Sequence, residues 1–191
     1  MAVPDKAKAR RTLALVALVC AAPVVTSYAA YYWFTPTAKT NYGELLDPRP
    51  APEMVGEQLD GGPFRLSMYR GKWVLLIAES GGCDDACRNK LYATRQARTM
   101  QGRERERIVR VGLQPTGAPL LQDELLAQHP GLIAARVAPA QWAALSESVS
   151  ATRSVFLLDP LGNVVLRYPA DPDIRRLSKD LERLLRASRI G

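Results

Sequence analysis

Three kinds of hydrophobic pattern follow one another along the chain. The first is an unbroken apolar stretch: Leu13 to Phe34 contains no charged residue. It exceeds the roughly 20 residues with which a helix crosses a bilayer. The second is a set of short continuous apolar runs. Trp73-Val74-Leu75-Leu76-Ile77-Ala78 and Val155-Phe156-Leu157-Leu158 are the clearest, and such runs suit strands buried on both faces. Ile108 to Leu113 and Leu132 to Val137 are weaker examples. The third is helical spacing near the C-terminus, where Ile174, Leu177, Leu181, Leu184 and Leu185 predict an amphipathic helix over 173–188.

Local signals supply the remaining elements. Gly56 to Leu66 reads as a hairpin turning at Asp60-Gly61-Gly62. Asp84 to Gln101 contains neither Pro nor Gly and predicts a helix. Leu120 to Gln128 predicts a short helix that ends at His129-Pro130-Gly131. Pro139 to Ser146 predicts another, with Pro at the first turn where its missing N–H is harmless. Asp159-Pro160-Leu161-Gly162 is a turn leading into a hairpin partner over Val164 to Tyr168. Strand, helix, strand, further helices, hairpin and helix is the thioredoxin-like α/β arrangement: a central mixed sheet flanked by helices. No internal repeat is present.

The flanks of the apolar stretch suggest its orientation. Lys6, Lys8, Arg10 and Arg11 precede it, opposed only by Asp5; Tyr28, Tyr31, Tyr32, Trp33 and Phe34 close it. Basic residues stay on the cytoplasmic side and aromatic rings settle at the interface. The expected organisation is a cytoplasmic basic tail over 1–12, a transmembrane anchor over 13–34, a Pro-rich spacer over 35–52 and a periplasmic domain over 53–191. That places the chain as a single-pass protein of a bacterial inner membrane. The rival is a cleaved signal peptide, with Ser27-Tyr28-Ala29 as a loose cleavage site; the long apolar stretch and bulky aromatic cluster argue against it. Cys20 follows Val19, where a lipobox needs a small residue, and reads as an apolar membrane residue. The net charge of +7 could suit nucleic acid, but a domain outside the cytoplasm excludes that partner and leaves the bilayer.

Of the three cysteines, only Cys83 and Cys87 fall in the predicted periplasmic domain, where disulfides can form. They follow a buried strand and a Ser80-Gly81-Gly82 turn, at the start of a helix. On one helix face, residues four apart have β-carbons about 5–6 Å apart, compatible with a disulfide. Two such sulfurs also suit a soft ion such as Cu(I). A helix start favours the thiolate. Asp84 and Asp85 oppose it, whereas Arg88 and Lys90 favour it. A structural staple is the alternative, but so short a loop constrains the unfolded chain little.

At these residues the chain resembles the SCO/SenC family, thioredoxin-fold proteins of cytochrome c oxidase assembly. Its motif Cys-Pro-Asp-x-Cys-Pro is matched by Cys83, Asp85 and Cys87, while Asp84 and Arg88 replace the prolines. Gly62-Pro63-Phe64-Arg65-Leu66-Ser67, Gly71-Lys72-Trp73-Val74 and Phe156-Leu157-Leu158-Asp159-Pro160-Leu161-Gly162 extend the likeness, which covers roughly residues 53 to 187. The resemblance implies copper held by both cysteines and a distant histidine just before the late hairpin. That position falls near Ala151, and Ser148 to Ser154 contains no histidine. The chain's one histidine, His129, reads as a surface turn residue unless a rearranged loop carries it to the sulfurs. The departure favours Cu(I) over Cu(II) and shifts weight toward thiol–disulfide chemistry.

The expected function is therefore thiol–disulfide or copper handling for oxidase assembly, with Cys83 as attacking and Cys87 as resolving sulfur. An oxidase subunit or a copper chaperone would be the partner. A general thiol oxidoreductase or peroxidase is one alternative; a non-catalytic interaction module that has lost its copper site is another. The basic residues from Arg88 to Arg110 read as a solvated face, or as a docking surface for acidic partners. Trp73 and Trp142 read as core, and Asp123 and Glu124 as exposed. No phosphate-binding glycine loop, zinc spacing or serine-type triad is present.

Overall fold

The computed structural model describes residues 6–33, 41–119, 121, 123–149, 154–188 and 190. The chain divides into two compact units, residues 1–40 and 41–191.

The described residues of the first unit form one helix, α1 (Lys6–Trp33). Its Arg10–Trp33 portion has a mean hydropathy of 2.1 and a length of about 36 Å, against about 30 Å of bilayer hydrocarbon. By length and composition it can cross a membrane. Pro23 lies inside it. Thr26 Oγ1 donates back to Ala22 O at 2.7 Å and Pro23 O at 3.1 Å, so the hydroxyl near the proline is satisfied within the helix. The helix runs through the predicted tail without a break; residues 1–5 and Phe34 lie outside the described residues.

Among the described residues, the second unit is built on an eight-stranded sheet. In chain order its elements are β1 (Glu44–Pro50), β2 (Val55–Gln58), β3 (Pro63–Arg65), β4 (Trp73–Ala78), α2 (Asp85–Thr99), β5 (Ile108–Pro115), α3 (Asp123–Ala127), β6 (Leu132–Val137), α4 (Pro139–Val149), β7 (Val155–Leu158), β8 (Asn163–Tyr168) and α5 (Ile174–Ala187). The strand order is β1-β8-β7-β4-β5-β6-β2-β3. β4, β5 and β6 are parallel, and β7 and β8 add antiparallel to β4. The thioredoxin-like core is thus as expected from the sequence. β4 lies between two neighbours and is buried at every residue, which is why its sequence is apolar without alternation. One sheet face packs on α2 and α5 through Leu75, Ile77, Leu91, Leu157, Leu177 and Leu181. The other packs Val74, Leu76, Phe156 and Leu158 against Phe64, Leu66 and Leu145. Burying each such aliphatic side chain contributes about 1.5–3 kcal/mol.

One expectation changes here. The spacer over 35–52 does not hold for residues 44–50, which form β1 and pair antiparallel with β8. Pro48 and Pro50 are tolerated because β1 is an outermost strand with only one edge to pair, and a register shift between Leu45 and Arg49 absorbs the irregularity. Glu44 and Arg167 are cross-strand partners, with Arg167 Nε 3.0 Å from Glu44 Oε2. Residues 35–40 lie outside the described residues. The predicted hairpin forms from β2 and β3 and is part of the same sheet. β2 pairs with β6, and Gly56 passes so close that a Cβ there would lie 1.7 Å from Arg136 O.

The start of the domain is stapled to the last helix. Asp180 of α5 is 2% exposed, and its Oδ2 accepts the N–H groups of Tyr42 (2.8 Å) and Gly43 (2.9 Å). The Tyr42 hydroxyl accepts from Asp173 N at 3.0 Å, and Arg176 lies over the Tyr42 ring at 5.4 Å. A side chain at Gly43 would meet the Tyr168 ring at 2.7 Å.

Candidate functional site

Cys83 and Cys87 are joined in a disulfide with a Cα–Cα distance of 5.1 Å. Their placement differs from two positions on one helix face. Asp84 is the N-cap of α2, so Cys83 lies in the turn just before the helix and Cys87 in its first turn. Asp84 Oδ1 accepts Cys87 N–H at 2.9 Å. This capping carboxylate uses a free N–H group that the helix start would otherwise present to a thiolate. Asp85 is exposed and pairs with Arg88 at 3.4 Å, a surface contact worth at most about 0.5 kcal/mol. Cys87 is 1% exposed. Cys83 is only partly buried and packs on the same core. Cys87 is thus sealed in the core, while Cys83 keeps part of its surface open.

The disulfide sits at the C-terminal edge of the parallel strands, the usual place for binding sites in α/β sheets. Gln114, near the end of β5, holds the site's two loops together. Its Nε2 donates to Gly81 O and to Pro119 O, both at 3.1 Å. One turn beyond Cys87, Lys90 forms an ion pair with Glu79, the residue that follows β4; the Lys90 side chain is 1% exposed and that of Glu79 15%. Lys90 therefore leaves the predicted solvated face, and so does Arg110, at 1% exposure. Gln114 and Glu79 were not singled out from sequence. Their one signal is position, as polar residues ending the apolar runs Trp73–Ala78 and Ile108–Leu113.

His129 is 5% exposed, which corrects its reading as a surface turn residue. Pro130 and Gly131 make the turn, while the imidazole packs inward. Its charged neighbours are Arg110 and Arg95. Arg95 lies eight residues past Cys87, about 12 Å along the helix, so His129 keeps company with the middle of α2. Burial, then Arg110 and Arg95, lower its pKa to about 4. An unfolded histidine titrates near 6.5, so between these values the unfolded chain binds the extra proton and stability falls as pH drops. In halide-free buffer, thermal midpoints should decline from pH 6.5 toward 4, and His129→Asn should flatten that decline. An equal slope in both proteins would refute the assignment. Ala151, where the resemblance implies a histidine, lies outside the described residues. Trp73 is core and Trp142 partly so; Asp123 and Glu124 are exposed.

The family model described as transmembrane-like, thioredoxin-like, C-terminal domain matches residues 73–188. No curated protein matches the chain. Among solved structures, the apo Sco protein of Thermus thermophilus is similar at 22% identity and a TM-score of 0.60, over 79% of this chain and 98% of its own. Copper-bound ScoI of Arabidopsis thaliana is similar at 19% identity and a TM-score of 0.61, over 73% and 100%. BsSco, a member of the Sco family of cytochrome c oxidase assembly proteins in which a disulfide switch has been identified, is similar at 13% identity and a TM-score of 0.59, over 76% and 95%. At these identities the likeness establishes a shared fold.

Proposed function

The chain belongs to the transmembrane-like, thioredoxin-like, C-terminal domain family, and we propose that it is a membrane-anchored thiol–disulfide and copper-handling protein serving cytochrome c oxidase assembly. The observation that carries this reading is the Cys83–Cys87 disulfide at the start of α2, with the two cysteines unequally exposed. In the reduced protein the Cys83 thiolate attacks a partner disulfide and forms a mixed disulfide, releasing one partner thiolate. Cys87, deprotonated, then attacks Cys83 Sγ. The second partner thiolate leaves, two electrons have passed to the partner, and the Cys83–Cys87 bond forms. A thiol reductant must return the pair to the dithiol. The anchor is α1, with the basic residues Lys6, Lys8, Arg10 and Arg11 in the cytoplasm and the domain in the periplasm of a bacterial inner membrane. The partner is an oxidase subunit or a copper chaperone. Fold kinship with Sco proteins, one of them copper-bound, supports that choice.

Copper enters as cargo of the reduced pair. Among the described residues, no group of three or more His, Cys, Asp and Glu side chains gathers to hold a metal. Two thiolates alone suit soft Cu(I) in near-linear coordination and fit Cu(II) poorly. The test is anaerobic Cu(I) titration of the reduced full-length protein in detergent against a competing chelator. One-to-one binding should be lost in Cys83→Ala and in Cys87→Ala and kept in His129→Ala. Absence of binding in the wild type would remove the copper role and leave thiol exchange. Loss with His129→Ala would mean that the histidine reaches the sulfurs.

A further inference from the structure

Beneath the middle of α2 lies a cluster of cations that the cysteine chemistry does not use. Arg110 extends from β5 toward the helix, where one terminal nitrogen donates to Leu91 O at 3.1 Å. It is 1% exposed, and its Nε has no partner. His129, 5% exposed, has an equally unpartnered Nδ1, and its carbonyl accepts from Leu132 N, the residue paired with Arg110 across β5 and β6. Two more guanidiniums border this region from α2. Arg95 Nη1 donates to Gln128 O, and Arg98 Nε donates to Ile108 O at 2.8 Å. Glu106 Oε2 is 3.9 Å from Arg98 Nη2, and its side chain is 70% exposed. Among the described residues, no carboxylate pairs with Arg110 or His129.

A guanidinium removed from water without a counter-charge is strongly unfavourable, and like charges nearby add to the cost. Elsewhere in the domain the sequence answers this demand with a carboxylate, as Glu79 does for Lys90. Here it offers only backbone carbonyls and a second unpartnered nitrogen. We propose that the seam between α2, β5 and the His129 turn binds a small inorganic anion of halide size, held by Arg110 and His129 with Arg95 and Arg98 on its outer side. The burial of Arg110 argues for a free ion, because a lipid headgroup or a partner's side chain would need an open approach. The Nε–H of Arg110 donates to the ion, and His129 donates as the Nδ1–H tautomer. The bound charge offsets the repulsion that the arginines exert on the imidazole. The ion therefore ties the cysteine-bearing helix to the sheet and to the turn after α3, independently of the redox state of the cysteines.

The test is thermal unfolding of the full-length protein in detergent, with sodium chloride replacing sodium gluconate at constant ionic strength. The midpoint should rise saturably, by about 5 °C at a thirtyfold excess of chloride over its dissociation constant. Arg110→Met should abolish the rise. Should that variant fail to fold, Arg95→Gln should weaken the chloride dependence, and chlorine NMR line broadening by the wild type should report binding directly. A wild-type midpoint indifferent to chloride, with no line broadening, would overturn the proposal. A chloride response that persists undiminished in both variants would overturn it equally.

Discussion

Cys87→Ser should capture its disulfide partner, and Cys83→Ser should not. The reduced Cys87→Ser protein, incubated with oxidised glutathione, is expected to accumulate a stable mixed disulfide at Cys83. Cys83 is the partly exposed cysteine before the Asp84 cap, so it is the one that an external disulfide is expected to reach. Cys87 is 1% exposed and meets only the sulfur already beside it. Without Cys87 the second displacement has no nucleophile, and the intermediate persists. Either substitution should lower turnover of a disulfide substrate by about 100-fold or more, because the two sulfurs act as a unit. Mass spectrometry of the trapped species locates the bond. Adducts in Cys83→Ser but not in Cys87→Ser would reverse the roles; full turnover in either variant would end the thiol-exchange reading. The domain should still fold, because the five-residue loop that the disulfide closes adds little by constraining the unfolded chain.

Asp180→Ala is expected to cost far more stability than either cysteine change. The carboxylate is 2% exposed and accepts two backbone N–H groups. Alanine leaves both donors without a partner in a buried place, at about 1–3 kcal/mol each. The Tyr42 ring, seated between Tyr168 and Arg176, would then lose its hold as well. A total near 3 kcal/mol corresponds to a drop in midpoint of about 6–12 °C for a chain of this size. Asp180→Asn keeps one neutral acceptor oxygen and should recover part of the loss. Limited proteolysis should find the segment ahead of β1 newly cleavable in the alanine variant. A loss under about 1 kcal/mol, with unchanged proteolysis, would show that the segment is held by its other contacts.

Most of the central fold was legible in the residues because hydrophobic burial writes itself into periodicity. β4 and β7 matched their apolar runs, since a strand covered on both faces admits no polar alternation. α5 matched its helical spacing, and its predicted first residue, Asp173, is the cap that accepts Arg176 N–H. α3 is shorter than the helix read over 120–128, and residues 120 and 122 lie outside the described part. β1 was not legible because its sequence, with two prolines and one half-buried leucine, looks like a spacer. Only β8 supplies the edge that makes it a strand.

The cysteine pair shows where the boundary falls. Sequence alone determined that two sulfurs four residues apart follow a buried strand, that two acids lie between them, and that no histidine stands near Ala151. Covalent order and composition determine those facts. Which cysteine is sealed was decided by the three-dimensional structure, because the packing of α2 against the core covers Cys87 and leaves Cys83 partly open. Tertiary packing also decided which charges are buried. Lys90, Arg110, His129 and Asp180 resemble their exposed neighbours in sequence, since a charge carries no periodicity of its own. Their burial depends on what the distant elements β4, β5 and the domain's first residues bring against them. Those long-range contacts, between residues up to 138 positions apart, cannot be read from any local window of the chain.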